Sequence, residues 1–228
     1  MKIVFLNTWG GKEKSLKDFI LDQSTDTDIF CFQESVKVKS KVFCESWLPN
    51  YQLFFDKKFI NKFDQFNQAT FVKKGLEVIE TKTLGENNPN VGLGLFTKIK
   101  TPKGVISLCN VHGFARPGDK QDTPGRLEQS QIFIDFLKSQ NGLKIIGGDF
   151  NLDFNTKSVQ MFEDNGFKNL IKDFNIKSTR NELSWKKFKT KQFFADFLFT
   201  SPDLKISNFS VPYNEVSDHL PMLLEFNL

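Results

Sequence analysis

The sequence predicts a sandwich of the α/β or α+β kind, with β-sheets packed on one another and helices outside. Three observations carry this. Strand-like runs far outnumber helical ones along the 228 residues. Several of those runs, IVFL, IFCF and FLF among them, are continuously apolar, the pattern of strands covered on both faces. Phenylalanine is the dominant aromatic, 27 residues against 3 tryptophans and 2 tyrosines, and it carries no polar handle, so this richness reads as a thick core.

Taken in order, the expected strands are Ile3 to Leu6, Ile29 to Phe32, Gln52 to Phe55, Ala69 to Val72, Leu93 to Thr97, Val105 to Val111, Lys144 to Ile146, Phe194 to Phe199, Ile206 to Val211 and Met222 to Phe226. Helical spacing is confined to three places. In KSLKDFIL, Leu16, Phe19 and Ile20 share a face. In GRLEQSQIFIDFLKSQNG, Leu127, Phe133, Ile134 and Leu137 do the same, with Gly142 as the expected stop. A shorter helix runs through Val159 and Phe162 to a Gly166 cap. No repeat, linker or low-complexity block interrupts the chain, so residues 1–228 are expected to form one domain. A domain of this size buries roughly 70–75% of its unfolded surface and needs no staples.

Composition narrows the class. The 39% apolar and 25% charged residues are those of a globular chain, not a disordered one. The formal net charge of +4 permits an anionic partner without demanding one. Arginine occurs only at Arg116, Arg126 and Arg180, and lysine supplies the remaining positive charge. Cys31, Cys44 and Cys109 are odd in number and lack CxxC spacing, which argues against a disulfide scaffold or a structural zinc site. MKIVFLNTWGG is too short in its apolar run for a signal peptide, and no run approaches the length of a membrane span. A reduced, cytoplasmic, monomeric protein away from membranes is expected.

The chemical signal lies where polar residues end the apolar runs. Asn7 ends IVFLN, Gln33 and Glu34 end DIFCFQE, and His112 ends SLCNVHG. Asp149 and Asn151 follow LKIIGG, Asp196 sits in FFADFLF, and Ser217, Asp218 and His219 precede the last strand. A carboxylate at a buried strand end is costly unless paired or bound to a cation. Several converging at one sandwich edge would form an oxygen-rich pocket of the sort that holds Mg²⁺.

NTWGG, CFQES, NVHG, GGDFNLD, FADFLFTS and SDHLPMLLEF occur in the order found in the endonuclease/exonuclease/phosphatase superfamily of DNase I-like phosphodiesterases, which the chain resembles from Asn7 to Phe226. The resemblance implies a four-layer α/β/β/α sandwich of two mixed sheets with one metal-dependent site at one edge. It implies Mg²⁺ or Mn²⁺ as cofactor, with Glu34 as main ligand, Asn7 beside it and Asp218 as a further carboxylate. It also implies that Asp149 orients and deprotonates the attacking water, that Asn151 holds the water or a phosphate oxygen, and that His219, its ring fixed by Asp196, donates to the scissile phosphate. His112 matches a second histidine on the opposite side of that phosphate. The segment HGFARPGDKQDTPGRLEQSQ resembles the deadenylase-like branch, with Arg116 and Arg126 reaching phosphates.

Two departures bear on this. Where many relatives carry an acid two positions after the first Asn, this chain has Trp9, so one essential cation is expected. Where the abasic-site endonuclease branch carries tyrosine, this chain has His112-Gly113-Phe114.

These residue types suit the chemistry. A phosphodiester repels a nucleophile, so catalysis must neutralise developing negative charge and supply an in-line, hydroxide-like water. Blander readings exist for each position. Asp149 and Asn151 alone would be an Asx turn, Asp218 a loop acid, and Asp196 a buried ion-pair partner. Trp9 serves either as a stacking platform for a base or as packing on the sandwich edge. Trp185 to Lys191 carries aromatics with four lysines, either a nucleic-acid surface or an ordinary exposed hairpin. Phe54, Phe55, Phe59, Phe63 and Phe66 read mostly as core. The leading expectation is hydrolysis of nucleic-acid phosphodiesters, DNA ahead of RNA. A phosphatase or phosphodiesterase for a small ester is the first alternative, and a silent binding module of the same fold the second.

Overall fold

A computed structural model describes residues 1–37, 41, 42, 44–55, 68–186 and 191–228. Phe59, Phe63, Phe66 and the lysine-rich 187–190 lie outside the described residues. The strands are β1 (Lys2–Asn7), β2 (Ile29–Gln33), β3 (Val36–Lys37), β4 (Lys41–Val42), β5 (Tyr51–Phe55), β6 (Ala69–Lys73), β7 (Glu77–Leu84), β8 (Leu93–Thr101), β9 (Gly104–His112), β10 (Leu143–Asp149), β11 (Lys168–Asn169), β12 (Asp196–Thr200), β13 (Lys205–Ser210) and β14 (Met222–Asn227). The helices are α1 (Leu16–Gln23), α2 (Pro124–Lys138), α3 (Lys157–Asp164), α4 (Leu170–Asp173) and α5 (Glu182–Trp185).

Two six-stranded sheets form, in the orders β13-β14-β1-β2-β6-β5 and β11-β12-β10-β9-β8-β7. Each is mixed, with one parallel pair at its centre, β1 with β2 and β9 with β10. The apolar runs are double-sided because the side-chain period is two. Ile3 and Phe5 of β1, with Ile29 and Cys31 of β2, enter the core between the sheets. Val4, Leu6, Phe30 and Phe32 alternate with them and pack beneath Leu16 and Ile20 of α1. On the far side Phe133, Ile134 and Leu137 of α2 and Val159 and Phe162 of α3 cover the second sheet. The layers are therefore helix, sheet, sheet, helix. No helix among the described residues is long and apolar enough to cross a membrane.

Several boundaries differ from the sequence reading. Thr123 caps α2 by accepting from the Arg126 N–H, and Pro124 takes the first helical position. The helix ends at Lys138, capped by Ser139. Gly142 is not its stop; at φ +81° it turns the chain into β10, where a Cβ would lie 2.1 Å from the Val105 carbonyl. The unforeseen β7 is an edge strand whose residues are mostly exposed, so EVIETKTL carries little apolar signal. Phe54 and Phe55 are half-buried on β5, one against each core.

Both parallel pairs end at the same edge. Asn7 stands opposite Gln33, and Asp149 stands opposite both His112 and Asp196. Beneath that edge the sheets are joined by a buried polar contact. Gln33 Nε2 donates to Asn110 Oδ1 at 2.6 Å, while Asn110 Nδ2 donates to the Phe32 and Ala69 carbonyls at 3.1 Å each.

Candidate active site

Four strand ends and three turns deliver the polar residues. Asn7, from β1, donates through Nδ2 to Asp149 Oδ2 at 2.9 Å and to Glu34 Oε1 at 3.3 Å. Its Oδ1 accepts the Trp9 N–H at 3.0 Å, which fixes which way the amide faces. Asp149, 2% exposed, has Oδ1 occupied by the Asn151 N–H at 2.9 Å. His112 Nε2 stands 3.9 Å from Glu34 Oε1 and 4.0 Å from Asp149 Oδ2. His219 Nε2 lies 3.7 Å from Asp149 Oδ2, and its Nδ1 is 2.9 Å from both oxygens of Asp196. Glu34, Asn7, His112, Asp149, Asn151, Asp196 and His219, drawn from both sheets, thus form one cluster.

The backbone here is strained. Trp9, Glu34, Lys120 and Asn151 all adopt φ between +49° and +59°, and among the described residues only Asn175 joins them as a non-glycine. Such conformations persist only where the surroundings enforce them, and they concentrate at sites needing fixed geometry. At Glu34 the enforcement is visible: Thr8 Oγ1 donates to the Gln33 and Glu34 carbonyls at 2.9 and 3.1 Å.

Charge follows from this geometry. Burial alone would raise the Asp149 carboxyl, but His219, Lys120, His112 and Arg180 together outweigh it and hold it well below the usual carboxylate range. Burial likewise disfavours a charged His219, yet Asp196, Asp149 and Asp218 raise the ring above its ordinary value against an opposing push from Arg180. The favoured state is an ionised Asp149 beside a charged imidazole. Burial lowers Lys120, whose Nζ donates to Asn151 Oδ1 at 2.8 Å while Asn151 Nδ2 donates to the Gly113 carbonyl at 3.0 Å.

One sequence-based assignment changes. Arg126 does not reach a phosphate: it is 0% exposed, Nε donates to the Phe114 carbonyl at 3.2 Å, and its remaining donors go to Asp119 and to the Pro117 and Gln121 carbonyls. The loop 114–121 folds over α2 and uses this side chain as its core. Asp218 stays beside the cluster as a further carboxylate, with Arg180 Nη2 and Ser217 Oγ each at 3.4 Å. Arg116 is exposed on that loop. Trp9 is half-buried, with Lys12 Nζ 4.0 Å from its ring centre. The sequence assigns no role to Lys120 or Arg180, since each is a lone cation in a turn with no periodicity around it.

A divalent cation fits the donor set. Glu34 and Asp149 offer hard carboxylate oxygens, and Glu34 Oε2 makes no hydrogen bond among the described residues. Asp149, Asp196 and His219 also place one donor atom each within 4.8 Å of one another. There, however, Nδ1 is already engaged by Asp196, so this trio is an acid–imidazole–acid relay rather than a seat for an ion.

The Endonuclease/Exonuclease/phosphatase family model matches residues 4–219. No curated protein matches the chain. Among solved structures, an endonuclease/exonuclease/phosphatase from Bacteroides vulgatus superposes with a TM-score of 0.79 at 18% identity, over 100% of this chain and 98% of that one. Truncated Caenorhabditis elegans TDP2 gives 0.68 at 18% identity over 99% and 96%. A mannosyl-6-phosphatase from Bacteroides thetaiotaomicron gives 0.70 at 14% over the full length of both. At these identities the likeness establishes the fold alone.

Proposed function

Because the chain belongs to the endonuclease/exonuclease/phosphatase family, whose members hydrolyse phosphoesters and generally require a divalent cation, we propose that it hydrolyses nucleic-acid phosphodiesters, DNA ahead of RNA, with Mg²⁺ or Mn²⁺. One observation carries the reading. Asp149 is held ionised between two imidazole nitrogens, 3.7 and 4.0 Å away, and Asp196 fixes the nearer ring. Trp9 with Lys12 at the rim, exposed Arg116 and the net charge of +4 support a nucleic-acid substrate.

Glu34, with Asn7 beside it, would hold the cation. When bound, the ion supplies charge neutralisation at the phosphate oxygens and a more acidic water. Asp149 accepts a proton from the attacking water, each of its oxygens keeping a lone pair beyond its present hydrogen bond. Asp196 meets Nδ1 with both oxygens, so a charged His219 donates from Nδ1 to that carboxylate and from Nε2 to a phosphate oxygen. His112 serves the opposite side. Water's oxygen bonds to phosphorus, the ester P–O bond breaks, and the leaving oxygen takes up a proton.

The test is turnover of plasmid, single-stranded DNA, RNA and small phosphoesters with Mg²⁺ or Mn²⁺, using Asp149→Asn as the blank. Cleavage of DNA that EDTA abolishes and that weakens steeply with salt is expected. Full activity in EDTA rejects the hydrolase reading. Turnover of small esters alone, with little salt dependence, replaces the nucleic acid with a small substrate.

A further inference from the structure

Arg180 is buried, 7% exposed, and directly adjoins the cluster. Its backbone forms an isolated bridge to His219, and the neighbouring Thr179 carbonyl accepts the Leu220 N–H at 2.8 Å, so the segment is fixed beside the relay. A guanidinium has five N–H donors. Among the described residues it makes one hydrogen bond, the long 3.4 Å contact from Nη2 to Asp218, and its buried Nε meets no acceptor there. Among the described residues seven other buried side-chain atoms lack a partner, all on neutral groups, so Arg180 is the one charged side chain left short, where the cost is greatest.

Arg126, buried in the same molecule, behaves differently. Arg126 finds acceptors for Nε, Nη1 and Nη2. The fold therefore satisfies a buried guanidinium where its purpose is structural, and it leaves Arg180 short. The charge is also placed where it acts: Asp149, Asp196 and His219 all feel it. A planar fork with unused donors, next to the imidazole assigned above to the phosphate, matches the paired oxygens of a phosphate group.

We infer that Arg180 is a phosphate-binding residue whose guanidinium takes an anionic oxygen of the substrate beside the one served by His219. The inference rests on the phosphoester reading of the site and adds to it a third protein donor to the phosphate. Asp218 then holds the fork in place between substrates.

Binding of inorganic phosphate to the purified protein in EDTA, measured by calorimetry, tests it without turnover. Arg180→Gln should weaken binding about tenfold or more, and Arg180→Lys, which keeps the charge but loses the fork, by less. The double variant Arg180→Gln with Asp218→Asn should stay weak, since removing the counterion does not restore the missing donor. In turnover assays KM for the phosphoester should rise in step with the phosphate affinity. Wild-type phosphate affinity in Arg180→Gln, or its recovery in the double variant, would overturn the inference and leave Arg180 as the counterion of Asp218. Should Arg180→Gln not fold, Arg180→Lys with unaltered phosphate binding would overturn it equally. Phosphate binding that depends on Arg180 in a protein hydrolysing no phosphoester would sink the hydrolase reading and leave the anion site standing.

Discussion

Replacing Asp196 with asparagine removes one charge from a buried pair and little volume. Asp196 is 2% exposed and His219 4%, with Nδ1 at 2.9 Å from both carboxylate oxygens. A hydrogen bond to a charged group contributes about 1.5–3 kcal/mol in such a setting. If it supports the charged ring mainly in the transition state, its loss lowers kcat by about 10–150-fold, at 1.36 kcal/mol per factor of ten. The sign of the pH effect is fixed too. Asp196 and Asp149 raise His219 in the folded enzyme, so without Asp196 the ring loses its second proton at lower pH. Activity that depends on the charged ring disappears as pH rises through that value, and its alkaline limb should move toward acid. The assay is kcat against pH at saturating Mg²⁺ for wild type and Asp196→Asn, with circular dichroism to establish folding. A variant within twofold of wild type, or a slower one whose alkaline limb stays put, refutes the reasoning.

Glu34→Gln should retain the fold and lose Mn²⁺ affinity and cation-dependent turnover by at least about 10²-fold, read by calorimetry and initial rates; unaltered Mn²⁺ binding would move the cation elsewhere. Arg126→Met should destabilise the fold in urea, because three carbonyls lose their donor together at about 1–3 kcal/mol for each that stays buried, and a KM effect without a stability loss would return Arg126 to the substrate. Burial pushes the Cys44 thiol up to about 12 and raises Cys31 and Cys109 as well, so a disulfide reagent at pH 8 should find no fast native thiol and all three after denaturation. One equivalent reacting at once would contradict that burial.

The candidate site was legible because polar residues at the ends of apolar runs are conspicuous. Asn7, Glu34, His112 and Asp149 stand out against IVFL, IFCF and KIIGG, where each costs free energy without a purpose. Edge strand β7 was not legible, since a strand with most side chains in water carries no apolar alternation. Arg126 was placed on a phosphate by the resemblance of its segment to the deadenylase-like branch, and only the loop that closes over it shows that it is core. Lys120 and Arg180 were silent because a lone cation in a turn has no pattern, and its meaning comes entirely from what the distant segments 149–151 and 217–219 place beside it.

The Gln33–Asn110 contact has a bearing beyond its own stability. Asn7 and Glu34 ride on one sheet and its following turn, His112, Asp149 and Asp196 on the other, so the spacing within the candidate site is a distance between two platforms. Apolar faces can slide past each other at low cost, whereas two amides meeting at 2.6 Å cannot. That pair acts as a gauge block set directly under the workpiece. Evolution of a new substrate preference is thereby steered to the surrounding loops, because any change that re-spaces the platforms must first dislodge the gauge.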